Sequence, residues 1–139
     1  MPDMFTKEKR SEIMAKIRGK DTKIEISLRK AFWKSGIRGY RLRMKLPGKP
    51  DIVFTKYNVV VFCDGDFWHG YKFDEWKDRL PPYWFEKIRR NMERDRENDL
   101  KLMEQGWTII HLWEHDLEKN IDQCKQKVIE ALRTRGLGK

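Results

Sequence analysis

The sequence predicts an α/β fold in which a mixed β-sheet is flanked by helices. Short apolar runs at 52–54, 59–62 and 107–112 are typical of buried strands, and a helical spacing of apolar residues occupies 83–105 between the last two. A strand, a helix and a further strand in that order imply a parallel crossover. A length of 139 residues suits one core, so a single domain is expected over 1–139.

Two helices are predicted before the strands. Residues 6–18 form a short basic stretch with a narrow apolar stripe, so we interpret 1–19 as an N-terminal arm. Either Asp21 or Thr22 can cap a second helix, because both side chains offer an oxygen to the first free backbone N–H groups. Apolar residues then recur at helical spacing until Gly36, which is expected to end the helix.

The remaining elements follow from periodicity and turn residues. Apolar and basic residues alternate over 40–44, as in a strand with one solvent-exposed face. Asn58 tolerates a left-handed backbone and favours a hairpin between the first two apolar runs. Residues 64–82 show no period and are predicted to be a loop, Gly106 ends the long helix, and a C-terminal helix is expected at about 117–134. The predicted order is α-α-β-β-β-α-β-α.

The charge of the chain favours a polyanionic partner. Lys and Arg number 31 against 22 acidic residues, which gives a formal net charge of +9 and an isoelectric point near 9.6. Such an excess is expected of a surface that binds nucleic acid. The alternative is a well-solvated basic surface without a specific partner.

The sequence also predicts a cytoplasmic protein. The first ten residues lack the apolar run of a signal peptide, and no stretch has the length needed to cross a bilayer. Cys63 and Cys124 are far apart in the chain and form no Cys-x-x-Cys pair. We therefore expect neither a disulfide framework nor a thiolate zinc site.

Oxygen ligands are expected to converge at one end of the predicted hairpin. A three-residue loop at 56–58 would place Asp51 opposite Cys63, whereas a four-residue loop would shift the pairing by one. In both cases the Asp51 carboxylate, the backbone carbonyl of Cys63 and the Asp64 carboxylate come together. Mg²⁺ is typically bound by one or two carboxylates while it keeps several of its water ligands. The alternative is that both aspartates simply face solvent where the strands end.

Three further polar residues are candidates for the same site. His69 follows Asp64 by five residues, and its imidazole is suited to take a proton from an attacking water, although a lone loop histidine is more often a surface residue. Asn91 and Asp95 interrupt the sheet-facing stripe of the long helix. A buried carboxylate needs partners, so Asp95 either accepts structural hydrogen bonds or orients a group of the site. That stripe consists of Trp84, Ile88, Met92, Leu102 and Met103.

Large aromatic side chains stand beside these polar residues. Phe67, Trp68 and Trp84 lie on segments that we place outside the core. Aromatic wedges next to a basic surface can enter a base stack and unstack a duplex. The more common alternative is a satellite cluster that packs under the loop.

The motifs together resemble those of the very-short-patch-repair mismatch endonucleases, from about Lys9 to Glu114. The matching stretches are RGKDTKIE, LPGKPDIVF, FCDGDFWH, WFEKIRRNMERD and GWTIIHLWE. The resemblance implies a restriction-endonuclease-like core and a magnesium-dependent enzyme that nicks duplex DNA at T:G mismatches. It also implies that Asp51 and the Cys63 carbonyl bind Mg²⁺ and that Asp64 lies at the scissile phosphate. Position 64 is often His in that family. The role of Asp64 is therefore left open between a metal ligand and a phosphate contact.

The resemblance assigns the rest of the site as well. His69 would activate the attacking water, and Glu25 and Asp95 would complete the site from two helices. The N-terminal helix would clasp the duplex, and the aromatic side chains would widen the DNA at the mismatch. The predicted DNA-contacting residues are Phe67, Trp68, Trp84, Lys16, Arg18, Lys20 and Asn91.

One departure from the family pattern concerns zinc. Better-known members carry a structural zinc site of Cys and His ligands, where this chain has Asp66, Tyr71, Phe73 and His115. One candidate ligand is not a tetrahedral set, so no zinc is expected. We further expect a monomer that acts on double-stranded DNA, with mismatch-repair proteins as partners. The alternatives are a restriction-like or mobile-element nuclease that ignores the mismatch, and a non-catalytic basic DNA-binding protein.

Overall fold

A computed structural model describes residues 22–138 of the chain. The predicted arm at 1–19 and the DNA contacts Lys16, Arg18 and Lys20 lie outside the described residues. The elements are, in order, α1 (Lys23–Lys34), β1 (Arg41–Leu42), β2 (Ile52–Phe54), β3 (Val59–Asp64), α2 (Phe73–Trp76), a 3₁₀ turn (Lys77–Arg79), α3 (Pro82–Glu104), β4 (Thr108–Trp113), α4 (Glu114–Lys119) and α5 (Ile121–Thr134).

The four strands form one mixed sheet in the order β1-β2-β3-β4. Strands β1, β2 and β3 are antiparallel neighbours, and β4 pairs with β3 in parallel. The parallel pair is joined through α3, which confirms the predicted crossover and the predicted fold class. This arrangement is consistent with a restriction-endonuclease-like core.

The hairpin between β2 and β3 has the longer of the two expected loops. Phe54 pairs with Val59, so the loop spans the four residues 55–58. Asn58 adopts a left-handed backbone with φ of 54°, as its side chain type favours. The pairing with Cys63 expected from a three-residue loop is therefore wrong. Asp51 instead donates its backbone N–H to the carbonyl of Val61 at 3.0 Å.

Helices cover both faces of the buried strands. One face packs against α1, α4 and α5, and its core includes Leu28, Phe32 and Val128. The other face packs against α3, where Val60 and Leu102 meet. Successive residues of a strand point to opposite faces, so residues 60, 62 and 64 of β3 all lie on the α3 face. That face carries the polar residues discussed below. In the part of the chain that the structure describes, no helix is both long and apolar enough to cross a membrane.

Three sequence-based expectations about elements are wrong in detail. The predicted loop at 64–82 contains α2 and the 3₁₀ turn, which are too short to show a period. The predicted C-terminal helix is divided into α4 and α5, because Asn120 has a non-helical backbone with φ of −132° and ψ of 47°. Met103, which we placed on the sheet-facing stripe of α3, is 62% exposed. In this last turn of the helix Leu102 is the residue buried against the sheet, and Met103 points away from it.

The aromatic residues predicted to lie outside the core form a satellite cluster. Trp68 is only 8% exposed, and Phe67 and Trp84 are half-buried against it. The ring centroids of Trp68 lie 5.4 Å from Phe67 and 5.5 Å from Trp84. The alternative expectation, a satellite cluster that packs under the loop, is therefore confirmed. The cluster joins the loop to Phe73 on α2 and Ile88 on α3.

The buried position of Trp68 leads to a prediction about stability. Trp68→Ala should remove the centre of the satellite cluster and lower the free energy of unfolding by about 3–5 kcal/mol, the usual cost of such a cavity. Trp33→Ala is the matched control, because Trp33 is 62% exposed and its loss leaves no cavity. Thermal unfolding of both variants measures the difference. Equal melting temperatures would contradict the packing described here.

Candidate active site

The edge of the sheet where β3 ends carries the predicted oxygen ligands. The Oδ2 atom of Asp51 accepts a hydrogen bond from the backbone N–H of Cys63 at 2.7 Å. Asp64 is the last residue of β3 and is only 4% exposed. Since β2 and β3 are antiparallel, the residue before β2 and the end of β3 meet at one edge. The structure thus brings Asp51, Cys63 and Asp64 together.

His69 faces this edge from the loop that follows β3. Its Nδ1 atom lies 2.6 Å from Oδ2 of Asp95 on α3, and its Nε2 atom lies 3.8 Å from Oδ1 of Asp64. An ionised carboxylate can only accept hydrogen bonds, so in the neutral tautomer that pairs with it Nδ1 is the donor and Nε2 carries the free lone pair. Of the two roles expected for Asp95, the structure therefore favours the orientation of a site residue.

Asn91 contacts the same loop from α3. Its side-chain amide donates to the backbone carbonyl of Trp68 at 3.3 Å, one residue before His69. The backbone N–H of His69 donates to the carbonyl of Gly65 at 3.1 Å. These bonds hold the loop at both sides and restrict the histidine to the position beside Asp95.

His111 belongs to the site and was not predicted. It lies on β4, where its Nδ1 atom is 2.7 Å from Oδ2 of Asp64 and its Nε2 atom is 2.7 Å from Oδ2 of Asp99. Its ring stacks on Phe62 at a centroid distance of 4.7 Å. The signal in the sequence was weak: a histidine inside an otherwise apolar strand, and a carboxylate four residues after Asp95 on the same helix face.

The environment of His111 favours its protonated form. Burial lowers the pKa of its imidazole, but the hydrogen bonds and negative charges of Asp64 and Asp99 outweigh that effect and raise the pKa to about 9. His111 is therefore a cation near neutral pH. Together with the pair of His69 and Asp95, it completes an alternating row of carboxylates and imidazoles along the edge of the sheet.

A cavity of about 500 Å³ opens beside this row. His69 and Asp95 line it together with three basic side chains, Lys49, Lys87 and Arg94. Cations around a cleft attract the phosphates of a nucleic acid and lower the cost of bringing them near carboxylates. The cavity is lined by Gly48, Lys49, Trp68, His69, Lys87, Asn91, Arg94, Asp95 and Asn98.

Glu25 is placed by the first turn of α1. Thr22 caps that helix, because its hydroxyl oxygen accepts the backbone N–H of Glu25 at 3.4 Å. Glu25 is only 2% exposed, although a carboxylate is among the least often buried side chains. The local contact explains its position on α1, and its predicted part in the site stays a prediction.

Three of the four residues at the positions where the resemblance implies a zinc site contact one another. Asp66 lies 3.0 Å from Nδ1 of His115, and the ring of His115 lies 4.3 Å from that of Tyr71. Phe73 is buried in the satellite cluster. Across residues 22–138, no group of three or more His, Cys, Asp and Glu side chains is arranged to hold a metal ion. The absence of zinc remains a prediction, and Mg²⁺ needs only one or two carboxylates besides its waters.

Comparison with known proteins gives consistent matches. The family described as DNA mismatch endonuclease Vsr matches residues 2–75. The chain is 39% identical to the type II nicking enzyme V.NmeDIP of Neisseria meningitidis serogroup C over 99% of its own length and 95% of that enzyme. It is 36% identical to the DNA mismatch endonuclease Vsr of Escherichia coli strain K12, over 94% of its own length and 86% of that enzyme.

The loop that carries His69 leads to a prediction at Gly70. This glycine has φ of 74°, and an added Cβ would clash with the side chain of Met92 on α3, closest to its Sδ atom and 2.9 Å from its Cγ atom. Either the Met92 side chain or the loop must shift, so Gly70→Ala should reduce stability by more than the roughly 1–2 kcal/mol of a left-handed residue and should lower the rate of DNA nicking to the extent that the loop moves. Gly36→Ala is the matched control, with φ of 79° and open space around the added atom.

Nicking assays and thermal unfolding of the two alanine variants test this claim. The control should lose some stability and keep its nicking rate, because Gly36 lies at the end of α1. The packing of the loop against Met92 would be disproved by a Gly70→Ala protein that behaves like Gly36→Ala in both measurements.

Proposed function

The chain belongs to the DNA mismatch endonuclease Vsr family and is a DNA endonuclease, and we propose that it uses Mg²⁺ to nick duplex DNA at T:G mismatches. The observation that carries this proposal is the pair of His69 and Asp95, which faces a cavity lined by cations beside the carboxylates of Asp51 and Asp64. A base, a set of hard oxygen ligands and a phosphate-binding surface are the parts that phosphodiester hydrolysis needs.

The oxygen donors at the end of β3 fit a magnesium ion. Endonucleases of this family generally depend on a metal. Here Asp51, the Cys63 carbonyl and, through Oδ1, Asp64 would hold it. Hard oxygen ligands suit Mg²⁺, which retains several waters and contacts phosphate directly. When bound, the ion supplies positive charge at the scissile phosphate and favours ionisation of a water molecule.

His69 is the proposed general base. Because Asp95 fixes the proton on Nδ1, the Nε2 atom accepts the proton of the attacking water. The water oxygen forms a bond to phosphorus while the bond from phosphorus to a deoxyribose oxygen breaks, and the leaving oxygen keeps the bonding electron pair and takes a proton from solvent water. Asp95 then stabilises the imidazolium that forms on His69, as a carboxylate does when it orients a catalytic histidine.

Basic side chains around the cavity are proposed to hold the DNA backbone. Lys49 approaches from the turn before β2, whereas Lys87 and Arg94 approach from α3. Phosphate contacts supply most of the affinity of such proteins and carry no sequence information by themselves. Binding should therefore persist in variants that lose only the catalytic carboxylates.

We propose that the aromatic cluster recognises the mismatch. Trp68 lines the cavity beside His69, and Lys87 lies over its ring at 5.3 Å. Phe67 and Trp84 are half-buried next to it, so their rings border the place where the duplex would lie. The free energy needed to unstack neighbouring base pairs is smallest at a mispaired base, and aromatic rings then stack on the exposed bases. A nuclease that ignores the mismatch is the second candidate, favoured by the deep burial of Trp68.

The metal site is tested by Asp51→Asn. This variant should lose nicking of supercoiled plasmid in Mg²⁺ by at least about 100-fold, because one oxygen donor becomes a neutral amide. Its affinity for duplex DNA should change little, since phosphate contacts remain. Asp122→Asn is the matched control, because the Asp122 side chain is 87% exposed and belongs to α5. Full activity of Asp51→Asn would refute the assigned ligand.

Mismatch specificity is tested on matched and T:G duplexes of one sequence. The wild-type protein should nick the T:G duplex faster than the matched one. Trp84→Ala should reduce that preference by about tenfold, because stacking on a base is worth roughly 1–3 kcal/mol. Trp33→Ala is the control, since this ring is 62% exposed and lies on α1, away from the satellite cluster. Equal rates on both duplexes by the wild-type protein would favour the second candidate function.

A further inference from the structure

His111 is held between two carboxylates on different elements. Its Nδ1 atom faces Asp64 at the end of β3, and its Nε2 atom faces both oxygens of Asp99 on α3, at 2.9 and 2.7 Å. Each ring nitrogen therefore has a carboxylate as its hydrogen-bond partner, one at the end of the sheet and one on α3. These two contacts fix the position of the ring.

We propose that His111, held by Asp99, is a positioning residue of the nuclease site, which fixes the orientation of the Asp64 carboxylate. The proposal rests on the nuclease function described above. His111 acts through Asp64 and is not expected to touch the reacting atoms.

The sheet explains how these groups meet. In the parallel register of β3 and β4, Phe62 is the partner of His111, and Asp64 lies two residues further on the same face. Asp95 and Asp99 are four residues apart on α3 and therefore share the helix face that covers this side of the sheet. The stack on Phe62 fixes the plane of the His111 ring, so both nitrogens point along the line that joins the two carboxylates.

This geometry defines which oxygen of Asp64 serves the site. Its Oδ2 atom binds His111, and its Oδ1 atom is the one that faces His69 at 3.8 Å. Loss of His111 would remove the hydrogen bond to Oδ2 of a carboxylate that is only 4% exposed. The carboxylate would then be able to rotate, and Oδ1 would no longer be held in its position facing His69.

Single-turnover nicking at saturating Mg²⁺ tests the proposal with two substitutions of His111. His111→Phe keeps a ring that can stack on Phe62 and removes both donors, and it should lower kcat by about 10- to 100-fold, the usual effect of losing a partner of a site residue, while KM for DNA changes little. His111→Asn can still donate to Asp64 and should recover part of that loss. A purely structural histidine would instead lower the melting temperature and leave the rate of the folded protein unchanged.

A double substitution decides whether His111 acts through Asp64. In the Asp64→Asn background, His111→Phe should have no further effect on kcat, because the carboxylate that it orients is already gone. Multiplicative effects of the two substitutions, or a His111→Phe protein with wild-type kcat, would overturn the proposal. A wild-type protein that does not nick DNA would instead refute the proposed function, so the two failures can be told apart.

Discussion

The buried negative charge of Asp64 is the constraint on which the arrangement of the site depends. Strand β3 is buried along its whole length, and its last side chain is a carboxylate that must find donors away from water. The imidazole of His111 on the neighbouring strand lies at hydrogen-bond distance from it, and the imidazole of His69 on the following loop lies 3.8 Å away. Each imidazole in turn requires its own carboxylate, and both of those carboxylates come from α3. The position of the long helix over this face therefore follows from charge as well as from apolar packing.

Periodicity predicted the parts of the fold that rest on local patterns. The apolar runs, the crossover through α3 and the meeting of Asp51 with the end of β3 all followed from side-chain alternation and strand order. The hairpin register did not, because loops of three and four residues fit the same sequence. The break at Asn120 did not either, since asparagine is tolerated inside a helix and its backbone angles depend on how α4 and α5 pack.

The candidate site was predicted less completely, for a physical reason. Asp95 interrupts the apolar stripe of a helix, and His69 lies in a loop five residues after Asp64. Both features are visible in the sequence pattern. His111 occupies a strand position whose partners, Asp64 and Asp99, are 47 and 12 residues away in sequence. Its role depends on the register of β3 with β4 and on the rotation of α3, both of which are tertiary. The sequence left open whether Trp68 is a DNA-contacting wedge or a buried residue, because that too depends on tertiary packing.

The diagonal contact across β3 and β4 bears on how this site diverges during evolution. The side chains at positions 64 and 111 are joined by a hydrogen bond, so a change of charge at one position affects the other directly. Substitution of His111 by an acidic residue would leave three carboxylates at close range, and substitution of Asp64 by a basic one would set two cations side by side. Lineages that exchange one residue are therefore expected to pass through compensating changes at the other, and the two columns of a family alignment should covary.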